Sequence, residues 1–269
     1  MPNCNFCFIE MKWQLYKLFC PLADKKTTLL LLLSVVFFCA AAPFDVSAQK
    51  TFSKSYPASR NVRLQLTNRT GTVIVEGWEK NEVHISAYME KPAALIAPQN
   101  LSGTIVINVV KDNQGKAEVG NVNFIVKVPS SSSVDIETRM GNLSVSNVRG
   151  ALVRAHISSE GDITLTNIYA GAVSAENVIG DIFFDGDIQR EGTYRFTSMR
   201  GNINLRIPFN SSFRLVATAP STRSILLGEF SNGNLNFVSD GRRVVGKMGD
   251  GSASLTVTNQ RGSISLIRR

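Results

Sequence analysis

Apolar residues recur at every second position in short runs along most of this chain, and a glycine repeatedly sits between two such runs. The second and fourth residues after Gly71, Gly141, Gly161, Gly180, Gly201, Gly233 and Gly262 are Val73/Val75, Leu143/Val145, Ile163/Leu165, Ile182/Phe184, Ile203/Leu205, Leu235/Phe237 and Ile264/Leu266. Between the members of these pairs stand Ser144, Thr164, Asn204, Asn236 and Ser265, with Ile74 and Phe183 in the other two copies. Alternation with period two is the mark of a strand with one buried face. Seven and five residues before the glycines come Leu64/Leu66, Val134/Ile136, Val173/Ala175, Tyr194/Phe196 and Leu255/Val257. The copy at Gly161 shifts by one residue to Val153, Ala155 and Ile157, and the copy at Gly233 is blurred. Each unit therefore reads strand, glycine corner, strand.

The spacings from Gly141 to Gly161, Gly180 and Gly201 are 20, 19 and 21 residues, with no helical pattern between them. A fixed period of this length predicts an all-β, single-domain β-solenoid, β-helix-like, in which stacked coils bury their inward side chains against one another. A β-sandwich is the alternative; it explains the alternation but does not require so even a register. Residues 131–269 read as the regular coils. Residues 49–130 read as a β-rich N-terminal part that caps the stack: three strands in "NVRLQLTNRTGTVIVEGWEKNEVHISAYMEK", a loop at "PAALIAPQN", then strands in "GTIVINVV" and "VNFIVKVP". The "PSSSS" at 129–133 is short enough to be a corner, so 49–269 forms one domain.

The residue after the corner glycine is Asn142, Asp162, Asp181, Asn202 or Asn234 in five copies and Thr72 or Ser263 in the others. Glycine supplies positive φ, and an Asn or Asp side chain closes a turn on nearby backbone N–H groups. Asparagine cannot act as a general base, so its exchange with aspartate favours the turn. The alternative is a metal site: Asp162 and Asp181 would stack about 4.8 Å apart in adjacent coils, with Asp185 and Asp187 close by. Carboxylates at that spacing repel, and a hard cation such as calcium, with oxygen ligands, would relieve them.

The first 48 residues do not share the alternation. Lys25 and Lys26 precede the apolar run "TTLLLLLSVVFFCAAA", followed by Pro43 and the small-residue pattern Val46, Ser47, Ala48. A basic region, a short apolar stretch and an A-x-A-like site predict a signal peptide over 1–48, cleaved before Gln49. The run is shorter than the roughly 20 residues of a spanning helix, so no stable transmembrane segment is expected after cleavage; an uncleaved anchor is the alternative. Met11 is an alternative start to Met1. Cys4, Cys7, Cys20 and Cys39 all lie in the segment that cleavage removes, leaving a mature chain without thiol or disulfide. The bulky Val36, Phe37 and Phe38 before Cys39 argue against lipid attachment there. The expected location is therefore outside the cytoplasm: periplasm, outer-membrane surface or extracellular.

Removing 1–48 takes away four basic and three acidic residues and lowers the net charge from +8 to +7. The excess is scattered, without a dense basic run or aromatic interleaving, which argues against nucleic acid. A solvated basic surface explains it, and weak attraction to acidic glycans or phospholipid headgroups fits as well. For nucleophilic catalysis a base must stand beside the nucleophile. The mature chain offers only His84 and His156, each on the outer side of a strand pattern, and no cysteine. The glycines of "GKMGDG" at 246–251 precede no helix pattern and read as a turn rather than a phosphate cradle. Trp78 reads as a strand-end aromatic packing over the cap. A solenoid polysaccharide lyase or hydrolase would need acids grouped on an outer face with a basic residue, for which Asp162, Asp181, Asp185, Asp187 and Arg190 are the candidates.

Several stretches in order, "LTNRTGTVIVEGWEKNEVHISA" at 66–87, "VKVPSSSSVDIETRMGNLSV" at 126–145, the "EGDI" and "IGDI" corners, "MRGNINLRIP" at 199–208 and "LTVTNQRGSISL" at 255–266, give the mature chain its likeness to a known group. It resembles the putative adhesin family of bacterial cell-envelope proteins, a domain of unknown function. The resemblance implies a β-solenoid in the envelope and brings no catalytic residue with it. The expected role is non-enzymatic binding or adhesion to an envelope protein or a cell-surface polymer, with no cofactor beyond the calcium alternative. The alternatives are the polysaccharide-active enzyme and a structural or envelope-stress role.

Overall fold

The computed structural model describes residues 50–269. The expected signal peptide, its cysteines and the choice of start lie outside the described residues. In chain order the strands begin with β1 (Lys50–Pro57), β2 (Arg63–Thr70), β3 (Val73–Trp78), β4 (Glu82–Met89), β5 (Gln99–Leu101) and β6 (Thr104–Asn108). A single helical turn, α1 (Val109–Asp112), leads towards β7 (Val122–Pro129). The central run comprises β8 (Ser133–Met140), β9 (Leu143–Ser146), β10 (Leu152–Glu160), β11 (Ile163–Ile168), β12 (Ala172–Ile179), β13 (Ile182–Gly186), β14 (Thr193–Arg200) and β15 (Ile203–Ile207). There follow β16 (Phe213–Thr218), β17 (Ile225–Leu226), a 3-10 turn at Gly228–Asn232, β18 (Asn234–Val238), β19 (Arg243–Met248), β20 (Ala253–Arg261) and β21 (Ile264–Arg268).

These strands form two sheets around one apolar core. The first sheet runs β1-β4-β7-β3-β9-β11-β13-β15-β21-β17, and the second runs β18-β19-β16-β20-β14-β12-β10-β8-β2-β6-β5. Each coil gives one strand to each sheet, so β8 passes through its glycine corner into β9, β10 into β11, β12 into β13 and β14 into β15. Neighbouring coils pair in parallel, which is the β-solenoid and not the hairpin-built sandwich.

The inward pairs stack in register. Leu143, Ile163, Ile182, Ile203 and Ile264 face one another across adjacent strands of the first sheet, as do Val145, Leu165, Phe184, Leu205 and Leu266, and all ten are buried. In the second sheet Leu64, Val134, Val153, Val173, Tyr194 and Leu255 form the matching row. The shift at Gly161 is a bulge: β10 has one residue more than its neighbours between Ile157 and Glu160. An extra residue in one strand returns the register before the corner.

Stack order departs from chain order at both ends. β2 pairs directly with β8 although β3 to β7 intervene, because β6 and β7 form a coil on the opposite side of β2 and β3. At the other end β20 and β21 insert between β14/β15 and β16/β17. The Gly233 copy of the repeat is no coil. Its strand β18 pairs antiparallel with β19 at the sheet margin, Gly233 has an ordinary φ of −90°, and Phe237 is 53% exposed. With no further coil stacked beyond it, nothing buries Phe237.

Candidate functional site

The glycine corners are where the sequence put its candidate acids. Gly71, Gly141, Gly161, Gly180, Gly201 and Gly262 all have positive φ. From Gly141 onward, a Cβ at each would collide with the carbonyl of the corner glycine in the preceding coil. Beside this spine runs a hydrogen-bonded ladder. Asn142 Oδ1 accepts from the Asp162 backbone N–H (3.1 Å), Asp162 Oδ1 from Asp181 N–H (2.8 Å), Asp181 Oδ1 from Asn202 N–H (2.7 Å) and Asn202 Oδ1 from Ser263 N–H (3.1 Å). Each coil needs only an acceptor oxygen, which Asn and Asp supply alike.

Inside the corners lies a second polar row. Asn68, Thr138, Asn177, Ser198 and Asn259 stand three residues before their glycines and are buried. Asn177 Nδ2 donates to Gly161 O (3.1 Å) and Asn259 Nδ2 to Gly201 O (2.8 Å), while Asn68 Nδ2 donates to Val122 O (2.9 Å). These side chains cap corner carbonyls that would otherwise lack partners in the core. A small polar residue at that position in every parallel copy but the bulged β10, where buried Ile157 takes the place, was the available signal, since an apolar residue is what alternation alone would place there.

Asp185 and Asp187 belong to a different cluster. Asp185 is buried near the end of β13, where Arg206 donates to its Oδ2 at 2.6 Å and Arg269 lies 3.7 Å from Oδ1. Its hydrogen bond to the Asp185 carboxylate, and the charge of that carboxylate, raise the pKa of the Arg206 guanidinium above its ordinary range. Asp187 pairs with Arg269. The four aspartates thus divide between the corner ladder and an arginine cluster, and among the described residues no group of three acids, histidines or cysteines gathers at metal-binding distance. Arg190 pairs with Asp250 (3.1 Å) instead.

The remaining candidates are also engaged. His84 hydrogen-bonds Ser55 Oγ through Nδ1 (2.9 Å) and Ser86 Oγ through Nε2 (3.1 Å). His156 Nδ1 lies 3.7 Å from Glu176 on the outer side of the second sheet. Trp78 donates its indole N–H to Glu82 O (2.9 Å), and Lys80 and Lys127 lie over its ring. Trp78 is thus engaged in cation–π contacts at the strand end. At Gly246–Gly251 the chain finishes β19 and turns, with Asp250 Oδ1 accepting from Ser252 N–H.

A family model described as Toastrack DUF4097 matches residues 45–266. The chain belongs to that family. No curated protein matches the sequence significantly. Among solved structures, the Toastrack chain is similar to a putative cell adhesion protein from Clostridium sporogenes at 12% identity and a TM-score of 0.46, covering 82% of this chain and 100% of that one. A putative adhesin from Bacteroides fragilis shares 9% identity at a TM-score of 0.35, covering 83% and 99%. A putative lipid binding protein from Parabacteroides distasonis shares 11% identity at 0.35, covering 82% and 97%.

What this Toastrack stack presents to solvent follows from its register. On the outer side of the first sheet, Ser86, Ile125, Ile74, Ser144, Thr164, Phe183, Asn204 and Ser265 form one uncharged row across eight adjacent strands. At strand spacings of about 4.8 Å the row is roughly 34 Å long. Shallow clefts of about 360 to 470 Å³ interrupt the surface, the largest of these beside Asp187, Arg190 and Arg269.

Proposed function

We propose that this Toastrack chain is an exported, non-catalytic envelope protein that binds an extended partner, either a cell-surface polymer or an envelope protein, along a solenoid face. In this reading residues 1–48 are removed and 49–269 act as one domain. The observation that carries it is the in-register uncharged row from Ser86 to Ser265. A surface repeating every 4.8 Å or so matches a partner that is itself extended, and its small hydroxyl and amide groups offer hydrogen bonds without a converging set of reactive groups. Asp162 and Asp181 spend an oxygen each on the corner ladder, and Asp185 and Asp187 face guanidinium groups, which supports binding over acid–base chemistry at these carboxylates.

The test is retention of the purified protein by cell-wall material and by envelope extracts. Wild type should be retained, and Thr164→Asp or Asn204→Asp, which put a charge into the row, should lower retention at least tenfold. Adding calcium should leave retention unchanged; a calcium requirement abolished by Asp162→Asn or Asp181→Asn would return those carboxylates to a metal role. Failure to retain any envelope component, together with glycan cleavage lost in Asp162→Asn or Asp181→Asn, would replace this reading with the enzymatic one.

A further inference from the structure

We propose that the glycine edge of the solenoid is a docking ridge for an anionic phospholipid surface. Immediately before the corners, Thr70, Met140, Glu160, Ile179, Arg200 and Arg261 stand in register on six adjacent strands of the second sheet. The residues preceding them are Arg69, Arg139, Ser159, Val178, Met199 and Gln260. Strict alternation fails here. Val178 and Ile179 are consecutive apolar residues, both exposed (37% and 39%), and Met140 and Met199 are exposed by 43% and 55%.

Met140 on β8 and Val178, Ile179 and Met199 on β12 and β14 stand on either side of Ser159 and Glu160 of β10, and arginines stand at both ends. Val178, Ile179 and Met199 line one shallow depression with Arg200 and Arg261. At the other end Arg69 and Arg139 line a second depression with Lys116 and Val110, the latter 50% exposed. These two rows carry four arginines against one acid, Glu160. Asp162 and Asp181 follow just beyond the glycines, with one oxygen each committed to the ladder. Among the described residues none of the four ridge arginines has a carboxylate partner, a state they share with others such as Arg149 and Arg195.

The charge pattern selects the occupant. Unpaired guanidinium groups bind phosphate oxygens, and apolar side chains between them gain only if they leave water. An anionic lipid surface supplies both, with phosphates at headgroup level and hydrocarbon a few ångströms below. The geometry agrees, since the six strands set the ridge along a line of roughly 24 Å at about 4.8 Å per strand. A line of that form can lie on a membrane plane along its whole length. This surface is distinct from the uncharged row on the first sheet, so the two proposals stand or fall separately.

The experiment is vesicle co-sedimentation of the protein as purified, with phosphatidylcholine alone and with phosphatidylcholine mixed with phosphatidylglycerol. Binding is expected only with phosphatidylglycerol present and should weaken as salt is added. Arg200→Ala and Arg261→Ala should each lower partitioning about fivefold. Ile179→Ser and Met199→Ser should each lower it on the order of tenfold. Ser174→Ala, on the outer side of β12 away from the ridge, should leave it unchanged. All these positions except half-buried Ser174 are exposed, and matching thermal melts will verify that each variant folds. Equal binding to both vesicle types, or insensitivity to the ridge variants, overturns the proposal. So does competition by a soluble polyanion when binding depends on the arginines but not on Ile179 or Met199, which would assign the ridge to a polymer. Self-association without vesicles, lost in Ile179→Ser, would assign it to a second copy of the chain.

Discussion

Replacing Gly180 with alanine tests whether the solenoid depends on the close approach of its coils. Gly180 has a φ of +133°, and an added Cβ would strike the Gly161 carbonyl oxygen and carbon and come within 2.9 Å of Asp162 Oδ1. Neither Gly161 nor Gly180 is free to retreat, because their backbone N–H groups are bonded to Ile179 O (2.8 Å) and Arg200 O (2.9 Å) of the adjoining coils. The strained φ costs about 1–3 kcal/mol, and forcing atoms into a packed site costs a further ~1–3 kcal/mol. A loss of roughly 2–6 kcal/mol is therefore expected. Gly103 provides the control. It turns between β5 and β6 with a φ of +85°, and a Cβ there meets nothing within 4 Å. Gly103→Ala should cost only about 1–2 kcal/mol, from conformation alone. At about 2–4 °C per kcal/mol for a domain of this size, thermal melts followed by circular dichroism separate the two. Equal shifts in Tm would refute the argument, since the turn conformation alone would then explain the glycines.

Two further predictions concern the core. Leu165→Asp places an unpaired carboxylate at a fully buried position and should cost about 4 kcal/mol or more, whereas Thr164→Asp on the outer side of the same strand should stay within about 0.5 kcal/mol; equilibrium unfolding in urea measures both, and a similar loss at the two positions would contradict the facing. Tyr194 is buried, donates to Ala170 O (2.8 Å) and accepts from Gln189 N–H (2.8 Å), and burial pushes its hydroxyl above the ordinary tyrosine value, with Asp187 and Tyr169 adding to the shift and the Gln189 bond opposing it. A raised folded pKa means stability fully present below about pH 10 and lost as pH climbs through the folded value. Tyr194→Phe should lower stability at neutral pH by about 1–3 kcal/mol and flatten the alkaline decline; an unchanged alkaline slope would show that another group causes it.

The coils were legible because a parallel solenoid writes its register into the chain. Each inward residue at Leu143, Ile163, Ile182 and Ile203 meets its own counterpart in the next coil, so the same alternation must recur at the same offset from the same glycine. The exchange of Asn and Asp at the corners was legible for a similar reason, because a ladder that uses only a carbonyl or carboxylate oxygen does not distinguish them. The Gly233 copy misled because alternation reports which side chains could face a core, not whether another layer arrives to cover them. Leu235 is covered and Phe237 is not. The polar row of Asn68, Thr138, Asn177, Ser198 and Asn259 escaped notice because periodicity places those positions inside, where an apolar residue is the default.

For the central coils local pattern by itself therefore determined the strands, the glycine corners, the buried pairs and the coil length, since each depends on contacts that repeat within about 20 residues. Only the tertiary structure decided the order of the stack at its ends. Nothing in a β-strand's own sequence says which open edge it will occupy, and β2 meeting β8, or β20 entering between β14 and β16, depends on which edge remains unpaired after the intervening segments have turned. It also decided the pairing of the charges. Asp185 and Asp187 stand beside Asp181 in sequence, yet they face Arg206 and Arg269 because lateral stacking brings separate coils within hydrogen-bond reach. The exposed ridge has the same origin: Met140, Ile179, Arg200 and Arg261 are far apart along the chain and become one line only when their coils stack.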